Sequence, residues 1–205
     1  NQLGDRYLDP LKEAIDIGRQ GGIPCHITHL SQRKGRPGGA EQILELVEKS
    51  RAEGLDVTFD MFPSLYGSTR LTILFPQWTM DGGPGRQKEV LRSPEDRKRL
   101  KDEIEARGVS YDDTWLTHFK RPHNHKFEGK SITEAAGLMG KDEVDTMCDL
   151  LLDEDLQVCF VVAGTNGMTL PKFINHTLSM IGSDGVLLGE YPSPRTYGTF
   201  PTVLG

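Results

Sequence analysis

Residues 40–60, AEQILELVEKSRAEGLDVTFD, decide the fold. Ile43, Leu44, Leu46 and Val47 recur at helical spacing, Gly54 supplies a C-terminal cap, and Leu55 to Asp60 then form a short strand. The stretch before it repeats this order. Leu8, Leu11, Ala14, Ile15 and Ile17 mark a helix as far as Arg19, which Gly21-Gly22 ends. Ile23 to His29 is β-prone, and Ser31 to Gly39 is a polar, Gly-rich loop. Helix, strand, helix and strand, with only a few residues after each helix, is the order of parallel strands with helical crossovers. The fold class is therefore α/β.

After Asp60 the rhythm stops. Met61 to Gly85 reads as a loop region holding Pro63, Pro76 and Pro84, and Ser93 as N-cap with Pro94 opens a charged helix to Arg107. Together with Trp115 to Lys120, this segment reads as an insertion over 84–130, a surface excursion in its plainer reading and a candidate lid over the barrel mouth in the other. The capping-box pattern Ser131-Ile132-Thr133-Glu134 restarts the rhythm, followed by a helix over Glu143 to Leu152 and a buried strand over Val158 to Val162. A short helix over Leu170 to Asn175 and a last strand over Leu178 to Ile181 complete it. The expected division is barrel βα units at 1–83 and 131–205 around the insertion. A (β/α)₈ barrel takes about 250 residues and eight strands, whereas four strand–loop junctions are visible. The expected architecture is thus the C-terminal part of a TIM-like barrel, in a chain that starts inside a longer protein.

Composition narrows the function. The 205 residues carry a net charge of −6 with 36% hydrophobic residues, which suits a soluble globular chain. No apolar run approaches the roughly 18 residues of a membrane span, Asn1 to Arg6 do not read as a signal peptide, and a membrane partner is excluded. The acidic excess lacks the basic footprint of a nucleic-acid binder. Cys25, Cys148 and Cys159 are read as free thiols in apolar settings, which places the protein in the reducing cytoplasm. An oligomer is left open.

In such barrels the loops after the strands carry the chemistry, so the polar residues there are His29, Asp60, Gly164-Thr165-Asn166 and Ser183-Asp184. His29 at a barrel mouth suits a zinc ligand, while His26 is expected on the opposite side of the pleat against a helix. Asp184, between small neighbours, suits a second ligand or a base that takes a proton from water and returns it to a leaving amine. Each has a plainer reading too, His29 as a hydrogen-bonded strand end and Asp184 as a Ser-Asp-Gly turn. Asp60 is a weaker candidate of the same kind. His118, His123 and His125 are read as solvent-exposed.

Three blocks in order carry a resemblance. They are Ile23-Pro24 through Ile27-Thr28-His29-Leu30; Gly54 to Asp60 with Pro63 and Gly67-Ser68-Thr69; and Gly182-Ser183-Asp184-Gly185 with Pro194-Arg195 and Tyr197-Gly198-Thr199-Phe200 to Val203-Leu204-Gly205. Through them the chain resembles the N-acyl-D-amino-acid deacylases (D-aminoacylases) of the amidohydrolase superfamily over nearly all its length. The resemblance implies a TIM-like barrel with a companion β-sandwich and zinc-dependent hydrolysis of the amide of an N-acyl D-amino acid. It implies His29 as a metal ligand, Asp184 as the catalytic aspartate at the metal, and Ser68 and Arg195 near the substrate. Further zinc ligands, for one or two ions, are expected upstream of Asn1.

The departures are specific. Phe62 stands where the family has Tyr, Ser31 where it has Lys, and Tyr191-Pro192-Ser193 replaces its Ser/Thr/His-rich stretch. Losing a hydroxyl and a cation weakens recognition of a substrate carboxylate, and Tyr66 and Arg70 are the expected substitutes. Two other readings remain: a hydantoinase- or dihydroorotase-like cyclic amide hydrolase, and a noncatalytic barrel fragment.

Overall fold

The computed structural model describes residues 7–32, 39–187 and 191–204, so most of the expected loop at 31–39 and the stretch 1–6 lie outside the described residues. In chain order the elements are α1 (Asp9–Gly21), β1 (Cys25–Ile27), α2 (Gly39–Ala52), β2 (Val57–Met61), β3 (Tyr66–Arg70), α3 (Gly83–Arg92) and α4 (Pro94–Ala106). They continue with β4 (Thr114–His118), α5 (Ile132–Met139), α6 (Glu143–Asp153), β5 (Cys159–Ala163), α7 (Leu170–Ile174), β6 (Ser179–Ile181) and α8 (Arg195–Leu204). The chain divides into two compact units. One comprises 1–65, 164–185 and 194–205, the other 66–163 and 186–193. Positions 84 and 130, expected as the ends of an insertion, both fall inside the second unit.

The first unit is built on a parallel sheet in the order β1-β2-β6, with Ile27 opposite Phe59 and Met61 opposite Ile181. Strand alternation sorts β2 cleanly. Val57, Phe59 and Met61 are buried, while Thr58 and Asp60 point to the other face. Leu11 and Ile15 of α1, Ile43 and Val47 of α2, and Phe173 of α7 close over the apolar face. Each buried side chain of that size contributes about 1.5–3 kcal/mol relative to exposure. This face is what fixes the opposite, polar face of β2.

The second unit holds an antiparallel sheet in the order β3-β5-β4. Two expectations change here. The region read as loop after Met61 contains β3, whose residues Tyr66-Gly67-Ser68-Thr69-Arg70 lack an apolar face to announce a strand. The apolar run at 158–162, read as a further parallel strand, instead lies antiparallel between β3 and β4. An uninterrupted apolar run reports burial on both faces but not which sheet it joins. The helix starts agree with the sequence. Ser93 Oγ accepts from the Asp96 amide, and Ser131 with Glu134 forms a reciprocal capping box that opens α5.

Between α4 and α6, Arg97 donates to Asp145 at 2.7 Å and to Asp149 at 2.6 Å, and Lys141 also pairs with Asp149. Burial alone pushes the Asp149 carboxyl up, but the hydrogen bonds from Lys141 and Arg97 outweigh it and hold it below its ordinary value. A carboxyl lowered by folding stabilises the fold above the ordinary Asp value of about 3.9, and that stabilisation is lost as pH falls through the lowered value. Melting temperatures measured from pH 7 down to 3 should therefore fall less steeply in Asp149→Asn than in the wild type; parallel curves would contradict this.

Burial pushes the Cys148 thiol up to about 12. All three cysteines are free, with Cys148 and Cys159 buried and Cys25 half-buried. Among the described residues no helix is long and apolar enough to cross a membrane.

Candidate active site

β1, β2 and β6 run in the same direction, so their C-terminal ends open at one edge of the sheet. His29 follows β1, Asp60 lies near the end of β2, and Asp184 follows β6. Nε2 of His29 lies 3.5 Å from Oδ1 of Asp184. The two residues are 155 positions apart in sequence, and the shared sheet is what joins them.

Both are held in an uncommon backbone conformation. Four non-glycine residues among those described have positive φ, and His29 at 62° and Asp184 at 45° are two of them. Such residues cost on the order of 1–3 kcal/mol and persist where the surroundings over-determine them. Around Asp184 the chain is made of small residues, and Gly185 leaves little room for a side chain. A Cβ on Gly185 would lie 3.1 Å from Cα of Thr196, a tight approach of α8 to the turn.

The second oxygen of Asp184 is taken by Arg195, whose Nη2 donates at 2.7 Å. The side chain of Arg195 is 1% exposed, against 35% for Asp184 and 52% for His29. Its guanidinium lies 4.3 Å from the centre of the Phe62 ring, and that ring stands 6.0 Å from His29 at a tilt of 58°. Phe62 thus offers a π face to a buried cation. Arg195, expected beside the substrate, has its charge turned toward Asp184.

His26 is the residue whose surroundings the sequence misplaced. Instead of packing on a helix, it sits opposite Thr58 in the register, on the polar face with Asp60. Nδ1 of His26 is 2.7 Å from Thr58 Oγ1, and Nε2 is 3.1 Å from Asp60 Oδ2. β1 ends at Ile27, so counting alternation back from His29 crosses a turn and inverts the face. Counting from Ile27, which is buried with Phe59, would have placed His26 beside Thr58 and Asp60.

The other expected site residues lie on β3 in the second unit. Tyr66, Ser68 and Arg70 alternate onto one face of the strand, opposite Ala163, Val161 and Cys159, and the Tyr66 ring meets Trp115 edge-on at 6.2 Å. Of the loop histidines, His123 pairs with Asp153 at 2.5 Å and His125 with the Phe119 carbonyl at 3.1 Å. Asn166 at the end of β5 is occupied by its own turn, its side chain accepting from the Met168 amide.

Two zinc ligands at bond lengths of about 2.0–2.1 Å in a tetrahedral site lie roughly 3.3 Å apart. The spacing between His29 Nε2 and Asp184 Oδ1, long for a hydrogen bond, fits two neighbouring ligands of one ion. An imidazole and a carboxylate are also suitable in kind. Among the described residues no group of three His, Cys, Asp or Glu side chains gathers to hold a metal; a catalytic zinc takes roughly three protein ligands, of which this pair could supply at most two.

No family model matches the chain. It is 28% identical over 213 residues to the D-aminoacylase of Alcaligenes xylosoxydans xylosoxydans, covering 98% of the chain and 34% of that protein. The chain is thus similar in sequence to a D-aminoacylase over nearly all its own length. An N-acyl-D-glutamate deacylase of the same organism is 25% identical over 203 residues with the same coverage. A crystal structure of D-aminoacylase superposes with a TM-score of 0.67 at 26% identity, covering 98% of the chain and 34% of that structure. The N-acyl-D-glutamate deacylase of Bordetella bronchiseptica, complexed with zinc and a phosphonate inhibitor, gives a TM-score of 0.70 at 20% identity and the same coverage, a likeness of fold alone. A further D-aminoacylase structure, TM-score 0.69 at 26% identity over 98% of the chain and 34% of its own length, concerns a binuclear metal centre. The mixed α/β fold is that of these amidohydrolases, and the chain spans about a third of the length of the relatives it matches.

Proposed function

We propose that the chain is a catalytic segment of a zinc-dependent amidohydrolase that hydrolyses the amide of N-acyl D-amino acids. The observation that carries this reading is the meeting of His29 and Asp184 at 3.5 Å beyond the ends of β1 and β6. In this reading β1, β2 and β6 belong to a TIM-like barrel, the second unit is an excursion from it, and the remaining metal ligands come from the portion of the longer relatives that the chain does not span. The three free thiols support a reducing, cytoplasmic setting.

The roles follow from the donors. His29 and Asp184 would hold the ion, which would polarise the amide carbonyl and lower the pKa of water. Asp184 takes a proton from the attacking water at a carboxylate oxygen and delivers it to the departing nitrogen, so that an acid and an amine leave. Arg195 keeps that carboxylate aimed by holding its other oxygen.

The full-length protein tests the reading. It is expected to contain zinc by elemental analysis and to release free amine from N-acetyl D-amino acids, faster than from their L enantiomers, with activity lost on chelation and restored by zinc. Zinc-dependent opening of dihydroorotate or hydantoin without turnover of N-acyl D-amino acids would replace it by the cyclic amidase, and absence of bound zinc would remove it.

A further inference from the structure

We propose that Asp60, backed by His26, is a positioning residue whose carboxylate holds the left-handed turn that aims the His29 imidazole at Asp184. This rests on the reading of His29 as a metal ligand. Asp60 makes two contacts with the turn and one with His26 behind it. Its Oδ1 accepts the His29 amide at 2.9 Å, and its backbone carbonyl accepts the next amide, Leu30, also at 2.9 Å. Its Oδ2 lies 3.1 Å from Nε2 of His26, whose Nδ1 is 2.7 Å from Thr58 Oγ1. On the far side β6 passes close by: a Cβ on Gly182 would sit 3.9 Å from the Asp60 carboxyl.

The network has one consistent order of donors. An ionised carboxylate only accepts, so Nε2 of His26 carries the proton toward Asp60, and in the neutral ring Nδ1 accepts from the Thr58 hydroxyl. Asp60 is thereby fixed from behind and captures two successive amides in front. A histidine at φ 62° has no glycine-like freedom to fall back on. Release of its amide lets the backbone relax to negative φ, and the ring then leaves Asp184. Both Asp60 oxygens are committed within the network, so the carboxylate acts through His29.

The test compares Asp60→Ala, Asp60→Asn and His26→Ala in the full-length protein, with two readouts. Hydrogen exchange at the His29 amide is followed in zinc-free protein, and zinc affinity is measured by competition with a chromophoric chelator. Asp60→Ala is expected to speed exchange by about tenfold or more, as expected for loss of a locally protecting bond. Its zinc affinity should fall about 10–100-fold, as outer partners of metal ligands typically cost. Asp60→Asn keeps an oxygen for the His29 amide and should retain protection and most of the affinity, with His26→Ala between the two. Wild-type exchange in Asp60→Ala overturns the proposal, and so does Asp60→Asn behaving like Asp60→Ala. Should Asp60→Ala fail to fold, faster exchange in His26→Ala than in Asp60→Asn supports the proposal and equal, wild-type exchange in both overturns it. If the wild type binds no zinc, the proposed function fails, while the exchange series still reads the clamp.

Discussion

Asp184→Asn in the full-length protein is expected to lower kcat by about 10²–10⁴, the usual share of a positioned acid–base group, with KM little changed. The substitution keeps size and one acceptor oxygen, so Nη2 of Arg195, now 2.7 Å from Oδ2, retains a partner. What is lost is the ability to hold a proton between its removal from water and its delivery to the amine and, with the one remaining oxygen on Arg195, the oxygen that faces His29, a loss that zinc content reads separately. Asp184→Ala is the poorer test, because it also strips the partner from a cation that is 1% exposed and confounds turnover with folding. Steady-state rates on an N-acetyl D-amino acid, with zinc content and melting temperature measured on the same preparation, separate these contributions. A loss below about tenfold, with zinc content intact, would place the proton transfer on another group.

How much of this was legible beforehand depends on what each residue's neighbours announce. The parallel strands of the first unit were readable because α1 and α2 carry apolar faces at helical spacing and end in glycine-rich turns. β3 was not, since Tyr66-Gly67-Ser68-Thr69-Arg70 owes its strand conformation to β5 beside it rather than to its own pattern. The direction of β5 was hidden for the complementary reason: Cys159-Phe160-Val161-Val162 is apolar throughout, and such a run suits parallel and antiparallel neighbours equally.

In the candidate site, the strand-end rule selected His29 and Asp184, and the fold places them together. The same rule also selected Asp60, as a weaker ligand or base, but not its part in holding His29, and His26 escaped it. His26 belongs to the site through register, which pairs it with Thr58, and pairing between separate strands is not written in either strand alone. Arg195 shows the opposite difficulty. The resemblance implies it near the substrate, and its contacts with Phe62 and Asp184 are ones that its place in the sequence does not announce.

Arg195→Met is accordingly expected to destabilise the protein and to impair catalysis together. Breaking a buried ion pair by removing one partner costs about 3–5 kcal/mol, and the result here should sit at the lower end because the Asp184 left behind can still reach water. Methionine fills much of the same volume and can rest its sulfur against Phe62, so the loss reports the charge more than a cavity. Turnover should fall as well, by up to about 10²-fold, since an unrestrained carboxylate no longer waits in the geometry of proton transfer. Arg195→Lys restores the charge but not the flat guanidinium that lies over the ring at 4.3 Å, and it should recover only part of each loss. Denaturant unfolding and kcat measured for Arg195→Met, Asp184→Asn and the double variant close the cycle. Strong non-additivity is expected because the two side chains touch. Additive losses, or an Arg195→Met protein with wild-type stability and rate, would show that Asp184 keeps its place without this partner.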